Sequence, residues 1–258
     1  MSRFPVLCAL AVVLLLAGCG SDDASHSSGK LLVAAAANVQ QAFDEIGPLF
    51  EKETGANVTF SYGSSGALAE QIEAGLPADV YVSADIDHVD GLREKGLLID
   101  DTQRVYAIGR LTLASSTKAG VTVSDLQGLL QPAVEKVAIA DPEVAPYGRA
   151  AEEALKSAGL WDEVKPKLVY GANVGAATEY VRSGNTEAGL LPLSLVIHEP
   201  TVTYVTLDES LHQPIEQALA VVKDTKNEEL ARRFVAFVRG PQGRAVLEKY
   251  GFVVPEGE

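Results

Sequence analysis

Residues 31–53 read LLVAAAANVQQAFDEIGPLFEKE and contain the two patterns that decide the fold. The first six residues, 31–36, form a continuous apolar run of the length typical of a buried strand. From residue 39 to residue 53, apolar side chains recur at the spacing of one helix face, which predicts an amphipathic helix. A buried strand followed at once by a helix is the repeating unit of an α/β fold.

The same order of strand and helix returns along the rest of the chain. Further strands are predicted at residues 58–62, 80–83, 137–140, 167–170, 188–191 and 219–222. Further helices are predicted at residues 67–74, 86–95, 149–158, 175–182, 227–238 and 241–250. Because alternating strands and helices favour parallel pairing, the sequence predicts an α/β protein with a parallel sheet.

Composition and charge limit the classes of function. The chain has 258 residues, of which 47% are hydrophobic and 22% charged, so it can form a sizeable core and is not a disordered chain. Its 21 Lys and Arg against 35 Asp and Glu give a net charge of −14. Nucleic-acid binding relies on a basic surface, so DNA and RNA are excluded as expected partners. An anionic small ligand remains compatible, provided that local dipoles hold it.

The N-terminal residues predict export. Residues 1–18 combine a basic start, an apolar stretch too short for a membrane span and small residues before a cleavage point, which indicates a signal peptide. The sequence LAGC at residues 16–19 resembles a bacterial lipobox, in which Cys19 becomes the lipidated first residue. An ordinary signal peptide with a chance cysteine is the alternative. Residues 19–29 are small and polar after Cys19, and are predicted to be a flexible tether.

Small polar residues occupy four predicted junctions between a strand and the following helix. They are Asn38, GSSG at 63–66, PYG at 146–148 and NVG at 173–175. Ligands of open α/β sheets bind at the carboxyl ends of strands, and helix N-termini there expose unpaired N–H groups. The junctions therefore predict a site for an anion or another polar ligand. Helix capping alone is the alternative at any one junction.

Motifs of the common enzyme classes are weak or missing. GSSG at 63–66 lacks the spacing of a nucleophile elbow, and the chain contains no Walker-type or His-Glu-x-x-His motif. Residues 85–91 are out of register with a calcium loop and are interpreted as a helix cap with an acidic first turn. Three histidines are interpreted as surface residues: His88, His198 and His212. An exported hydrolase using Ser65 remains an alternative, although no histidine lies within the junctions to act as its base.

Four longer segments carry a more specific signal. They are AAAANVQQAF at 34–43, YGSSGALAEQIEAGLPADVYVSAD at 62–85, ADPEVAPYGRAAEEAL at 140–155 and GPQGRAVLEKYGF at 240–252. Together and in this order, they resemble the periplasmic molybdate-binding proteins of ABC transporters, over nearly the whole chain from about residue 30 to 254. The resemblance implies two α/β lobes joined by crossing strands, with a ligand cleft between them. Lobe one is expected at 30–112 plus 214–258, and lobe two at 113–213.

The resemblance also implies the residues that contact a tetrahedral oxyanion. These are Asn38 after the first strand with Ala37 beside it, Ser65 with Ser64 beside it, Tyr147, and the backbone N–H of Val174. They would contact molybdate through its oxygens, and none would ligate the metal directly. Many family members have a further tyrosine donor where this chain has Pro192, which carries neither N–H nor hydroxyl. Asn38 and Tyr147 are expected to replace that donor.

The function that the resemblance implies is a lipid-anchored receptor that binds molybdate or tungstate and delivers it to an ABC permease. It is expected to be a monomer, to need no cofactor and to catalyse no reaction. Every implied donor is a hydroxyl, an amide or a backbone N–H, which suits a fully ionised dianion. Sulfate, with the same charge and shape, remains the alternative ligand, since cavity size would have to discriminate between them.

Overall fold

The computed structural model describes residues 29–255. The predicted signal peptide, Cys19 and all but the last residue of the predicted tether lie outside the described residues. Across residues 29–255, every helix is too short or too polar to cross a membrane.

The described chain alternates strands and helices. The strands are β1 (Lys30–Ala36), β2 (Asn57–Gly63), β3 (Val80–Val82), β4 (Arg104–Gly109), β5 (Leu111–Ser116), β6 (Val137–Ala140), β7 (Leu168–Gly171), β8 (Ala188–Pro192), β9 (Val202–Thr206) and β10 (Ile215–Val221). The α-helices are α1 (Gln40–Thr54), α2 (Ser65–Glu73), α3 (Asp87–Glu94), α4 (Pro146–Ser157), α5 (Trp161–Val164), α6 (Val174–Ser183), α7 (Leu193–Val196), α8 (Glu228–Arg239) and α9 (Pro241–Lys249).

The strands form two five-stranded sheets, each the centre of one lobe. Lobe one has the order β2-β1-β3-β10-β4, and lobe two has the order β7-β6-β8-β5-β9. In each sheet three strands are parallel neighbours, as predicted: β1 pairs with β2 and β3, and β6 pairs with β7 and β8. The predicted parallel pairing covers only these strands, because β10 and β5 each run antiparallel to both of their neighbours. The two-lobed α/β fold itself is confirmed.

The chain crosses between the lobes twice. The first crossing is at Arg110, because β4 ends at Gly109 in lobe one and β5 begins at Leu111 in lobe two. The boundary expected after residue 112 therefore falls two residues inside β5. The return crossing lies between Thr206, where β9 ends, and Ile215, where β10 begins. Strands β4, β5, β9 and β10, which begin or end at these crossings, are the ones whose neighbours in the sheet are all antiparallel. Parallel neighbours along the chain need a crossover connection, usually a helix, whereas a strand that enters from the other lobe does not.

The hydrophobic pattern that predicted α1 also explains how it packs. Phe43, Ile46 and Phe50 lie on one face of the helix and are completely buried. Phe43 and Phe50 both contact the ring of Phe234 from α8, edge to face, with centroids 6.0 Å and 5.2 Å away. Burial of each large apolar side chain contributes about 1.5–3 kcal/mol, so this contact holds α1 firmly on its sheet. The N-terminus of α1 is thereby fixed at the edge that faces lobe two.

Candidate functional site

The six residues that the sequence resemblance implied are among those that line one small pocket between the lobes. They are Ala37, Asn38, Ser64, Ser65, Tyr147 and Val174. The first four belong to lobe one, whereas Tyr147 and Val174 lie in the first turns of α4 and α6 in lobe two. The pocket is small, with a volume of about 10 Å3, room for about one water molecule. A tetrahedral oxyanion is larger, so its entry requires the walls to move apart.

Strand register brings the two lobe-one junctions together. β1 and β2 pair in parallel with Ala36 opposite Gly63, so both strands end at the same level. Ala37–Val39 then form a single 3-10 turn before α1, and α2 begins at Ser65. Because both helices start at the carboxyl ends of parallel strands, their exposed N–H groups face the same cleft.

The two serines have different roles. Ser64 is the N-cap of α2, where its hydroxyl accepts a hydrogen bond from the Ala67 N–H at 3.4 Å. Ser65 is 1% exposed, and its Oγ accepts from the Ala84 N–H at 3.0 Å. Among the described residues the Ser65 proton has no acceptor, so it is available to a ligand oxygen in the pocket. The capping alternative is therefore right for Ser64 and does not account for Ser65.

The Asn38 and Tyr147 side chains meet at a residue that the sequence did not reveal. Gln217 on β10 is completely buried, and its Oε1 accepts from Asn38 Nδ2 at 2.8 Å and from the Tyr106 hydroxyl at 2.9 Å. Its Nε2 donates to the Tyr147 hydroxyl at 3.1 Å. Asn38 Oδ1 has no partner among residues 29–255. Gln217 lies in a mixed strand segment, IEQALAV, with no motif to single it out.

Burial keeps the pocket hydroxyl of Tyr147 neutral. Its side chain is almost fully buried, and this burial raises the pKa of Tyr147 above its ordinary value. The hydrogen bond from Gln217 and the nearby Asn38 amide offset part of that rise. The phenol therefore keeps its proton across the physiological range and can donate it.

The helix N-termini of lobe two offer backbone donors. Asn173 caps α6, since its side chain accepts from the Ala176 N–H at 3.0 Å. Val174 is the first residue of α6, so its own N–H has no partner within the helix. α4 begins at Pro146 without a side-chain cap, which leaves the N–H of Tyr147 directed out of the first turn. The capping alternative is right for Asn173 as well.

The lobes contact each other around the pocket. The Gly66 N–H donates to the Val144 carbonyl at 3.0 Å, and the Ser194 hydroxyl donates to the Asn38 carbonyl at 2.7 Å. Arg149 of α4 forms an ion pair with Asp85 at 2.7 Å across the cleft. Burial alone would raise the pKa of Asp85, but hydrogen bonds from His88 and Ser83 outweigh it and hold that pKa below its usual value.

No charged side chain is among the residues that line the pocket, as far as the described residues show. Within the same part of the chain, no cluster of His, Cys, Asp and Glu has the arrangement of a metal site. The pocket thus combines hydroxyl, amide and helix N-terminal donors without a countercharge. The partial positive charges on these N–H and O–H groups stabilise the negative charge of a small bound anion.

The arrangement around Ser65 also bears on the hydrolase alternative. His88 is not a plain surface residue as interpreted from sequence, because its Nδ1 lies 2.7 Å from Asp85 and its ring is partly buried. Ser65, Asp85 and His88 therefore follow one another along the chain in an order that is known from serine hydrolase triads. The structure shows no hydrogen bond between His88 and Ser65, however, and the Ser65 oxygen accepts from a backbone N–H instead. A base positioned to remove the serine proton is therefore missing among the described residues.

A larger cavity lies elsewhere in lobe one and has a structural explanation. It has a volume of about 650 Å3, and its wall includes Lys30, Asp79 and Thr225 but none of the six junction residues. The Asp79 carboxylate accepts from the Leu32 N–H at 2.7 Å, from the Asn227 amide at 3.0 Å and from the Thr225 hydroxyl. These bonds tie the loop after β10 to the start of the sheet, so the carboxylate has no free role in ligand binding.

Two α/β lobes with polar junctions on a shared cleft define the class of two-lobed solute receptors. Residues 31–253 match the family of bacterial extracellular solute-binding proteins, and the chain belongs to that family. It is 34% identical over 227 residues to the molybdate-binding protein ModA of Rhodobacter capsulatus, covering 88% of this chain and 89% of that protein.

Two further relatives extend the comparison. YvgL of Bacillus subtilis, whose name describes a substrate-binding lipoprotein of an ABC transporter, is 34% identical over 253 residues, 95% of this chain and 96% of that protein. The solved periplasmic molybdate-binding protein of Azotobacter vinelandii matches with a TM-score of 0.82 at 30% identity, over 88% of this chain and 100% of that one.

Proposed function

We propose that this protein is a receptor that binds molybdate or tungstate outside the cytoplasm and delivers it to an ABC permease. The observation that carries the proposal is the meeting of neutral donors from both lobes in one pocket without a charged side chain. The names of the Rhodobacter and Azotobacter relatives support molybdate as the ligand.

The hydrogen bonds around the pocket favour a fully ionised ligand. Ser65 Oγ already accepts from Ala84, and the Tyr147 oxygen already accepts from Gln217, so both hydroxyls offer their protons. A ligand that itself carries a proton, such as hydrogen phosphate, would need an acceptor in the pocket. The unpartnered Asn38 Oδ1 is the atom that could meet that need, so phosphate belongs in the test beside sulfate.

Isothermal titration with molybdate, tungstate, sulfate and phosphate tests the proposal. We expect 1:1 binding of molybdate and tungstate, with sulfate and phosphate at least about a hundredfold weaker, a difference of about 2.7 kcal/mol. Equal or tighter binding of sulfate would favour the alternative receptor. Absence of heat with both molybdate and tungstate would refute the proposal. The Tyr204→Phe variant is a matched control, because Tyr204 is exposed on the edge strand β9 and does not line the pocket.

We further propose that binding requires no cofactor and that the protein catalyses no reaction. The arrangement of Ser65, which lacks a base, supports this reading. Treatment with a serine-directed phosphonate tests it: no labelling of Ser65 is expected, and stoichiometric labelling would support the hydrolase alternative instead.

The remaining part of the proposal concerns location. We propose that lipidated Cys19 anchors a monomeric receptor to the outer face of a bacterial membrane, and the LAGC motif and the lipoprotein name of the Bacillus relative support it. Expression of the whole chain and of its Cys19→Ala variant, followed by membrane fractionation and mass spectrometry, tests the anchor. The wild type should carry lipid and sediment with membranes, and a wild type found soluble and unlipidated would refute anchoring. Light scattering of the chain without residues 1–18 tests the monomer.

A further inference from the structure

Gln217 connects the two lobes at the pocket, although it does not line it. Its amide oxygen accepts from Asn38 and Tyr106, both of lobe one, at 2.8 Å and 2.9 Å. Its amide nitrogen donates across the cleft to the hydroxyl of Tyr147 in lobe two, at 3.1 Å. All four side chains are almost fully buried, so each of these bonds lies away from bulk water.

The bonded atoms determine which way the amide faces. In the structure, Asn38 Nδ2 and the Tyr106 hydroxyl both donate to the Gln217 oxygen, and the nitrogen end of the amide faces Tyr147. An amide nitrogen can only donate, and it therefore occupies a lone pair of the Tyr147 oxygen. The Tyr147 proton then cannot point at Gln217, and it is left for another acceptor.

Gly109 supplies the space that this contact needs. It ends β4 beside the first crossing, and its register partner is Ile215 at the start of β10. A methyl group on Gly109 would overlap the Tyr147 hydroxyl and would lie 2.6 Å from Gln217 Nε2. The Tyr147 hydroxyl therefore contacts both β4, through which the chain leaves lobe one, and β10, through which it returns.

We propose that Gln217 is a positioning residue that presents the Tyr147 hydroxyl to the bound oxyanion as a donor. This inference rests on the proposed function and assigns a role at the same site to a residue outside the pocket wall. It means that the preference for an unprotonated ligand depends on the orientation of one buried amide at the crossing of the lobes.

Replacement of the amide by a carboxyl group tests the role directly. In Gln217→Glu an ionised carboxylate can only accept, so Tyr147 would turn its proton toward residue 217 and lose it for the ligand. A protonated carboxyl group can still donate to Tyr147, as the amide does. Binding of molybdate by this variant should therefore weaken by at least about tenfold from about pH 6 to about pH 9, since burial raises the pKa of a carboxyl group toward this range. Direct repulsion of the oxyanion by the carboxylate would persist when Tyr147→Phe is added, so the pH dependence should be clearly smaller in that double variant, and an equal dependence would overturn the inference.

The surrounding groups do not produce the same pH dependence. Tyr106 from β4 and Tyr147 from α4 are the titratable side chains that contact Gln217, and burial raises the pKa of both above the ordinary tyrosine value. Tyr81 of β3, next to Tyr106, has its pKa raised by burial as well. These phenols stay neutral over the tested range, so they add no pH dependence of their own, and the test is the difference between the profiles of Gln217→Glu and the wild type. A profile of Gln217→Glu that matches that of the wild type would overturn the inference.

A double-mutant cycle covers the case in which Gln217→Glu does not fold. Gln217→Met removes the amide while keeping a side chain of similar length, and it should weaken molybdate binding by about tenfold or more. If Gln217 acts through Tyr147, the same change should cost much less in a Tyr147→Phe background, where no hydroxyl remains to be positioned. Additive losses in the cycle would overturn the inference.

Thr102→Val is the matched structural control. The buried Thr102 hydroxyl accepts from the Val221 N–H of β10 at 3.0 Å, so its loss disturbs the same strand without touching the pocket. We expect lower stability in this variant with unchanged molybdate affinity. If Gln217→Met behaves like this control, Gln217 is only structural and the inference is wrong. If the wild type binds neither molybdate nor tungstate, the proposed function fails first, and the inference falls with it.

Discussion

Removal of one oxygen atom from Tyr147 tests the pocket most directly. Tyr147→Phe keeps the buried ring at the N-terminus of α4 and deletes only the hydroxyl that Gln217 contacts. Burial raises the pKa of Tyr147, so the deleted group is a neutral donor at every pH used in a binding assay.

The expected loss of affinity comes from one charge-assisted hydrogen bond. A bond from a neutral hydroxyl to an anionic oxygen contributes about 1.5–3 kcal/mol. Because 1.4 kcal/mol corresponds to a factor of ten, molybdate binding should weaken roughly tenfold to a hundredfold. The same change leaves the buried Gln217 nitrogen without an acceptor, which should lower the free energy of unfolding by about 1–3 kcal/mol.

Titration calorimetry and thermal unfolding separate these two effects. The affinity loss should appear at temperatures well below the melting transition of the variant, where the protein remains folded. Tyr204→Phe, an exposed tyrosine on β9, should change neither quantity. An unchanged molybdate affinity in Tyr147→Phe would mean that the ring only covers the cleft, and it would refute the assignment of Tyr147 as a donor.

Three further predictions follow from neighbouring contacts. Ser65→Ala should weaken molybdate binding about tenfold or more, whereas Ser64→Ala should mainly lose the α2 cap, about 0.5–2 kcal/mol of stability. Calorimetry and thermal unfolding distinguish the two effects, and equal affinity losses in both variants would contradict the assignment. Gly109→Ala should displace the Tyr147 hydroxyl and cost about 1–3 kcal/mol of stability as well as affinity, while Gly91→Ala in α3, where a methyl group meets nothing within 4 Å, should be neutral or stabilising. The folded-state pKa of Asp85 is below its unfolded value of about 3.9, so the ionised carboxylate stabilises the fold above about pH 4, and this stabilisation is lost as the pH falls through the folded pKa. The unfolding free energy of the wild type should therefore fall more steeply in acid than that of Asp85→Asn. Parallel curves of unfolding free energy against pH would contradict this.

The elements that form the pocket could be predicted because their signals are local. Residues 31–36 are continuously apolar, whereas apolar residues recur at helical spacing in the segment that follows, so a short window of sequence separates the strand from the helix. The structure places β1 and α1 there. The junctions at Ser65 and Val174 follow the same logic, since a strand end and a helix start are both visible in short windows. A parallel sheet then aligns such junctions at one edge, which is a rule of topology.

The residues that connect the junctions could not be predicted, because their partners are distant in sequence. Gln217 bonds to Asn38, Tyr106 and Tyr147 across separations of 179, 111 and 70 residues. The pair of Asp85 with Arg149 spans 64 residues and depends on how the two lobes meet. No periodicity within a single segment reports such contacts, so the sequence led to the proposed donors without the buried Gln217 side chain that links two of them.

Strands β4 and β5 show the same limit at the level of the fold. Only Arg110 separates them, so no turn or helix signal divides the two runs, and the chain leaves one sheet for the other within a single residue. Neither strand was predicted from the sequence, and the sheet that each one joins depends on distant neighbours, β10 for one strand and β8 and β9 for the other.

The crossing strands also explain why neither lobe alone would bind the ligand well. Asn38 and Ser65 come from one lobe and Tyr147 and Val174 from the other, so the proposed donors face one oxyanion only where the two lobes meet. The Tyr147 hydroxyl rests on β4 and β10 at the crossing itself, and Arg149 reaches Asp85 on the opposite side of the cleft. Contacts of this kind join the two lobes, and a ligand that completes the proposed donor set would stabilise this arrangement of the lobes by its differential affinity for it. Arg149→Gln removes one such contact at a partly exposed pair, so it should weaken molybdate binding by no more than about fivefold, far less than the loss of a donor inside the pocket.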